Sequence, residues 1–202
     1  MPKAVLWDIG NVVVRWDPRT LYAKIFKEPA DLDRFLSHVC TMIWHVNHDL
    51  GVTFEENRKG LVERFPEYEA EILAWEERWW EMFSGTIPET EAAIEALHAA
   101  GVPQFGLTNM SHEVFDGVIA MSPAFARLEG YVVSAEEKLI KPDPRIYAIA
   151  CERFGHAAGD ILFVDDSAAN IAAAKAFGLN THHFTDPAAL RPALEAHGLL
   201  CA

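Results

Sequence analysis

Short apolar runs, most of them spaced by about one helix, recur along this sequence and restrict it to a layered fold around a buried sheet. The runs are Ala4 to Trp7, Gln104 to Leu107, Tyr131 to Ser134, Ile161 to Val164 and Thr181 to Phe184. They read as strands covered on both faces, the environment of a parallel sheet. Helical patterns run from Glu89 to Ala100, Pro144 to Phe154 and Ala168 to Phe177, and Gly101, Gly155 and Gly178 stop them. The alternation predicts an α/β fold with a doubly wound, parallel five-stranded sheet.

One interval breaks the rhythm. The first two runs are separated by about 95 residues, far more than a crossover between parallel strands uses. That interval is helical in pattern. Thr53-Phe54-Glu55-Glu56 forms a capping box. Asp17-Pro18 reads as a helix start, with Asp as N-cap and Pro at the first position. Trp75, Trp79, Trp80 and Phe83 recur at helical spacing and supply the core of a small bundle. The chain is therefore expected to divide into a catalytic core, residues 1–14 and 85–202, and a helical-bundle cap, residues 15–84, inserted after the first strand.

Composition narrows the function classes. The chain has 202 residues, half of them hydrophobic, enough for one good core and a smaller satellite. A net charge of −13 argues against non-specific binding to nucleic acid or anionic membrane, which needs a basic field. An anionic substrate must then meet a local positive group. Cys40, Cys151 and Cys201 are far apart and form no C-x-x-C pair, so neither a disulfide framework nor a zinc cluster is indicated. A reducing cytoplasm is the expected compartment. The N-terminal apolar stretch is too short for a signal peptide, and no run approaches membrane-spanning length. Phosphate-loop, dinucleotide and serine-hydrolase motifs are absent.

Chemistry-bearing residues gather where the strands end. The first strand stops at Asp8 and turns at once through Ile9-Gly10-Asn11. In an open α/β sheet, ligands bind at the carboxyl ends of the strands, and an acid there is costly to bury unless it reacts or holds a cation. Thr108-Asn109 follows the second strand, Lys141-Pro142-Asp143 precedes the Pro144 helix, and Asp165-Asp166-Ser167 follows the fourth strand. This is the set that phosphoryl transfer to a carboxylate requires. An Asp attacks, a hydroxyl and backbone amides hold the phosphoryl oxygens, a Lys neutralises charge, and further carboxylates hold Mg²⁺. Without a cation, Asp8, Asp165 and Asp166 would be like charges crowded at one sheet edge.

With these motifs in this order, and a helical insertion after the first strand, the chain resembles the haloacid dehalogenase (HAD) superfamily of hydrolases over essentially its whole length. The resemblance implies a Rossmann-like core whose five strands are ordered 5-4-1-2-3. It makes Asp8 the nucleophile that becomes an aspartyl-phosphate, and Thr108 the phosphate-binding hydroxyl with Asn109 beside it. Lys141 matches the lysine that steadies nucleophile and phosphate. Asp165 and Asp166 match the acidic pair around Mg²⁺, with Asp8 and the Gly10 carbonyl as further ligands. The implied protein is a cytoplasmic Mg²⁺-dependent phosphatase of a small phosphorylated metabolite, monomeric or homodimeric.

Position 10 departs from the pattern. Phosphatases of the superfamily usually carry a second Asp there, as acid to the leaving group and base to water, and this chain has Gly10. A positioned acid or base is worth roughly 10²–10⁴ in rate. Three routes would answer its absence: a cap histidine, His45 or His48, in its place; a leaving group that needs little help; or slow breakdown of the intermediate. The Asp8-Ile9-Gly10-Asn11 turn and the His48-Asp49-Leu50-Gly51 stretch are similar to glucose-1-phosphate phosphatase-like members, which favours sugar phosphates. The alternatives are a 2-haloacid dehalogenase, whose halide leaves without a proton and without a metal, and a binding protein that keeps a weakened site. Against dehalogenation stand Gly10, where those relatives normally have Tyr, and the acidic pair Asp165-Asp166, where they have small polar residues. Trp44, His45 and His48 are the cap residues expected to contact substrate. Asn170 is a candidate support for the acidic loop, and His182-His183 reads as structural, one of the two buried and hydrogen-bonded.

Overall fold

The computed structural model describes residues 1–201. Five parallel strands make the central sheet: β1 (Ala4–Trp7), β4 (Gln104–Thr108), β5 (Tyr131–Val133), β6 (Ile161–Asp165) and β7 (Asn180–His183). Two short strands, β2 (Val14–Trp16) and β3 (Phe83–Thr86), pair antiparallel as a separate ribbon. The sheet order is β5-β4-β1-β6-β7. Its labels differ from 5-4-1-2-3 because the ribbon strands, which the sequence reading did not anticipate, take two numbers in the chain. β1 is central, with β4 on one side and β6 on the other.

Burial explains why these strands read as apolar runs. Every residue of β1, β4 and β6 is buried. Alternate side chains feed two cores: Val5, Trp7, Leu162 and Val164 enter one, and Ala4, Leu6, Ile161 and Phe163 the other. Helices cover both faces, namely α6 (Pro88–Ala99), α7 (His112–Ile119), α8 (Ser134–Glu137), α9 (Pro144–Phe154), α10 (Ala168–Phe177) and α11 (Leu190–Ala196). The stops at Gly155 and Gly178 are left-handed C-caps, with φ of 69° and 110°.

The insertion holds α1 (Pro18–Tyr22), α2 (Pro29–His38), α3 (Met42–Asp49), α4 (Phe54–Arg64) and α5 (Glu69–Glu77). Asp17 and Thr53 cap α1 and α4 through their side chains. The helical reading of Trp75, Trp79, Trp80 and Phe83 holds only for Trp75. α5 ends at Glu77, Trp79–Met82 forms a 3₁₀ turn, and Phe83 opens β3. The chain leaves the helical register there because Phe83 must pair with Trp16 across the ribbon. Trp75 and Trp79 are buried with Tyr22 and Phe35 in the cap interior, whereas Trp80 is half exposed. No helix among the described residues is long and apolar enough to cross a membrane.

The cap rests on the core at the end of α3. The Ser134 hydroxyl donates to the Asp49 carbonyl at 2.6 Å and accepts from the Met110 amide at 2.9 Å. Gly51, at φ +90°, lies so close that a Cβ there would sit 2.6 Å from the Ala135 carbonyl oxygen. The Glu113 carboxylate accepts from the Phe54 amide at 2.7 Å, a second tie between cap and core. Gly51→Ala should therefore lower the unfolding free energy by about 1–3 kcal/mol, read from the urea midpoint. An unchanged midpoint would mean that α3 does not depend on this contact.

Candidate active site

The four motifs converge at the carboxyl ends of β1, β4 and β6. Asp8 follows β1, and its Oδ1 accepts from the Ile9 amide at 2.7 Å. Lys141 Nζ lies 2.7 Å from the same oxygen and donates to Asp165 Oδ2 at 2.8 Å and to the Leu107 carbonyl at 3.1 Å. All three ammonium hydrogens thus have acceptors, which makes burial of this lysine tolerable. Asp165 is also bound by the Ser167 amide at 2.8 Å and by the Asn170 amide group, 3.1 Å from each carboxylate oxygen. Asn170 is thereby a support of the acidic loop.

Asn109 is tied to the backbone of a second motif. Its Nδ2 donates to the Lys141 carbonyl at 3.0 Å and its Oδ1 accepts from the Lys141 amide at 2.8 Å. The side chain is a two-point clamp on the backbone that carries Lys141. Thr108 is buried at the end of β4.

Charge is not balanced among these groups. Atoms of Asp8, Asp165 and Asp166 lie within 4.8 Å of one another, and the ammonium of Lys141 pairs with two of them, Asp8 and Asp165. Burial pushes the Asp8 carboxyl well above its usual range, against the pull of Lys141, and the Asp165 charge adds to the rise. Burial and the neighbouring Asp165 charge raise Asp166. Burial would raise Asp165 too, but Lys141 outweighs it and holds that carboxyl low. Burial works to neutralise Lys141, and the Asp8 and Asp165 charges overcome it. Three oxygen donors with surplus negative charge suit a hard divalent cation.

Gly10 lines a cavity of about 150 Å³ beside this cluster. No atom lies within 4 Å of where its Cβ would be, and its backbone is not left-handed. Nothing steric requires glycine there. Asn109, Met110 and Ser111 also line the cavity from the core. From the cap and ribbon come Trp16, Met42, His45, Asp49, Trp79 and Phe83, so the wall is largely apolar.

Of the three cap residues expected to contact substrate, only His45 reaches this cavity. Trp44 is turned into the bundle, where its indole donates to the Asn57 carbonyl at 3.1 Å and meets Trp75 edge-on. His48 is fully buried, with Nε2 2.8 Å from the Asn57 amide nitrogen. Burial lowers His48 to about 4. Burial and the neighbouring His48 lower His45 to about 3. Both rings are neutral near pH 7 and so lack the imidazolium proton that a general acid would give. The residues missed from sequence are Trp16, Trp79 and Asp49. Asp49 was within the stretch already noted for its likeness to sugar-phosphate phosphatases, but its direction was not readable. At the last strand, the exposed His183 donates from Nε2 to the Asp166 carbonyl at 2.9 Å, while the Nε2 of the half-buried His182 has no partner. The expected buried, bonded histidine is therefore absent from that pair.

The family model described as "Hydrolase: haloacid dehalogenase-like hydrolase" matches residues 2–178. (S)-2-haloacid dehalogenase 4A of Burkholderia cepacia is 29% identical over 154 residues, 73% of this chain and 61% of that protein. The chain thus spans less than two thirds of that relative. Sesquiterpene phosphatase astK of Aspergillus oryzae is 30% identical over 197 residues, covering 91% of this chain and 90% of that one. A HAD family enzyme of Bacteroides thetaiotaomicron, solved with magnesium and inorganic phosphate, superposes with a TM-score of 0.66 at 20% identity, over 90% of this chain and 93% of that one. That last likeness is one of fold.

Two tests follow from the electrostatics. Lys141→Met leaves Asp8 and Asp165 buried without their cation and should cost about 3–5 kcal/mol of unfolding free energy in urea; a loss under 1 kcal/mol would mean that the pair is not held as described. Burial also raises the Asp49 carboxyl to about 7, against the pull of Lys141. A folded pKa above the unfolded value makes stability present below about pH 4 and lost as pH rises through 7. The Asp49→Asn variant should therefore gain on the wild type over that window, by up to about 1.4 kcal/mol per pH unit. A pH-independent difference would mean that Asp49 ionises normally.

Proposed function

The chain belongs to the haloacid dehalogenase-like hydrolases, and from that premise we propose that it is a Mg²⁺-dependent phosphatase of small phosphomonoesters. The observation that carries this reading is the Asp8, Asp165 and Asp166 cluster, with its ligand atoms within 4.8 Å and, among the described residues, Lys141 alone paired with it as a cation. A metal-free dehalogenase has no use for such an excess of carboxylate, which would repel a haloacid's own carboxylate. Mg²⁺ held by these acids, with the Gly10 carbonyl, would screen the phosphoryl oxygens and lower the cost of bringing them to Asp8.

In this reading Asp8 attacks phosphorus, and Lys141 and the Thr108 hydroxyl hold the transferring group. Asn109 acts one step back, through its clamp on the Lys141 backbone. Asn170 and the Ser167 amide fix Asp165 so that Lys141 faces Asp8. The cap, resting on Ser134 and Ala135, excludes bulk water and polymeric substrates.

The cavity bears on the leaving group. Trp16, Trp79, Phe83, Met42 and Met110 offer apolar surface, and Asn109 and Ser111 already spend side-chain hydrogen bonds on the protein. Beyond Asp49, His45 and the indole N–H groups of Trp16 and Trp79, a sugar's hydroxyls would meet apolar surface. The lining supports an ester with a small apolar body in preference to the sugar phosphates suggested by the turn sequence, and similarity to a sesquiterpene phosphatase is in keeping with that. Dehalogenation of a small 2-haloacid is the second reading, favoured by the apolar cavity and by the 29%-identical dehalogenase.

Phosphate release from a panel of aryl, alkyl and sugar phosphates, with Mg²⁺ and with chelator, separates the readings. Turnover should need Mg²⁺, and Asp8→Asn should reduce it at least about 10³-fold, as for loss of a nucleophile that acts in a unit. Metal-independent chloride release from 2-chloropropionate, without phosphate release from any ester, would establish the second reading instead.

A further inference from the structure

We infer that Asp49, on the cap helix α3, is the carboxyl that exchanges the proton with leaving group and water, in the role left open by Gly10. The inference rests on the phosphatase reading above and extends it to a residue outside the core motifs. Asp49 is 6% exposed, its Oδ1 has no hydrogen-bond partner, and it lines the same cavity as Gly10. A buried carboxylate oxygen without a partner is costly, and the cost falls away once a ligand hydroxyl or water meets it. Trp16 and Trp79, on the same cavity, likewise carry buried indole N–H groups with no acceptor. Three residues that each carry an unsatisfied polar atom therefore line one space of about 150 Å³, and an occupant there could take up those bonds after a small shift of the side chains.

The neighbouring histidines set the surroundings of this acid. The amide group of Asn57 donates to His48 Nε2, so the His48 proton is on Nδ1, which lies 3.3 Å from His45 Nδ1. His45 then accepts at Nδ1 and carries its own hydrogen on Nε2, 3.7 Å from Asp49 Oδ1. That distance is beyond a hydrogen bond, so the N–H orients the site without occupying the carboxylate. His45 and Lys141 are the titratable groups that act on Asp49, from its own helix and from the core. The burial that lifts Asp49 to about 7 suits a group that must give and regain a proton at neutral pH.

The chemistry balances over two steps. As an Asp8 carboxylate oxygen bonds to phosphorus, the ester P–O bond breaks, and its electron pair takes the Asp49 proton so that an alcohol leaves. A water then bonds to phosphorus and gives a proton to the Asp49 carboxylate. The bond from phosphorus to the Asp8 oxygen breaks, which frees phosphate and returns both acids to their starting states. The acid resides on the cap, so it is in place only while α3 rests on Ser134 and Ala135.

The test compares wild type, Asp49→Asn and Asp49→Asn/Gly10→Asp on 4-nitrophenyl phosphate and cyclohexyl phosphate with Mg²⁺. Urea unfolding of each variant checks that it is folded. Asp49→Asn should lose roughly 10²–10⁴ in kcat/KM on the alkyl ester and much less on the aryl ester, whose leaving group needs little protonation. The fall in alkyl-ester kcat/KM above about pH 7 should disappear with it, and Gly10→Asp should restore part of the alkyl activity, since position 10 has room for the side chain. Equal losses on both esters, or a retained basic limb, would overturn the assignment while leaving the phosphatase reading intact. Wild-type protein that releases phosphate from neither ester would overturn both.

Discussion

One buried ammonium holds this site together. Lys141 reaches Asp8, Asp165 and the Leu107 carbonyl at once, joining the ends of β1, β6 and β4 through a single nitrogen. The arrangement follows from topology, because a parallel sheet with β1 between β4 and β6 brings all three carboxyl ends to one edge. Three acids gather there with one base, and the resulting imbalance makes the edge a place for a cation and an anionic group. The supports around it are polar and local: Asn109 clamps the backbone of Lys141, and Asn170 and the Ser167 amide bracket Asp165.

The cap supplies what the core lacks. The core has polar groups in abundance but no acid at Gly10, while the cap brings aromatic surface and one carboxyl to the same cavity. Its own interior is tied by aromatic contacts and by the Asn57 amide, which links Trp44 and His48. His48 is therefore a spacer within a dry cluster, while His45, Asp49 and Trp79, with Trp16 of the ribbon, wall the cavity. The contacts of α3 with Ser134 and Ala135 make the cavity wall a joint product of two parts of the chain.

The sheet, the capped helices and Asp8, Lys141, Asp165 and Asp166 were legible because each is set by local signals: apolar runs, Gly and Pro stops, and acids at strand ends. The β2–β3 ribbon was not, because its strands are short and their pairing is made across the whole cap. The run Trp75 to Phe83 looked helical because burial of large aromatics at intervals of three and four does not require a continuous helix. Trp44 and His48 could not be told from His45 and Asp49 by spacing. All four sit on α3, and which of them meets the cavity depends on how that helix docks. Asn109 was expected beside Thr108 at the phosphate, and its clamp on Lys141 was not legible because that backbone lies 32 residues away.

On the phosphatase reading, Asp8 accepts the phosphoryl group within a cation-dependent cluster. Rapid-quench peptide mass spectrometry during turnover of an aryl phosphate tests it most directly. One added phosphoryl group is expected on the peptide containing Asp8, present with Mg²⁺ and absent with chelator. Steady turnover without that adduct, or an adduct on another residue, would contradict it.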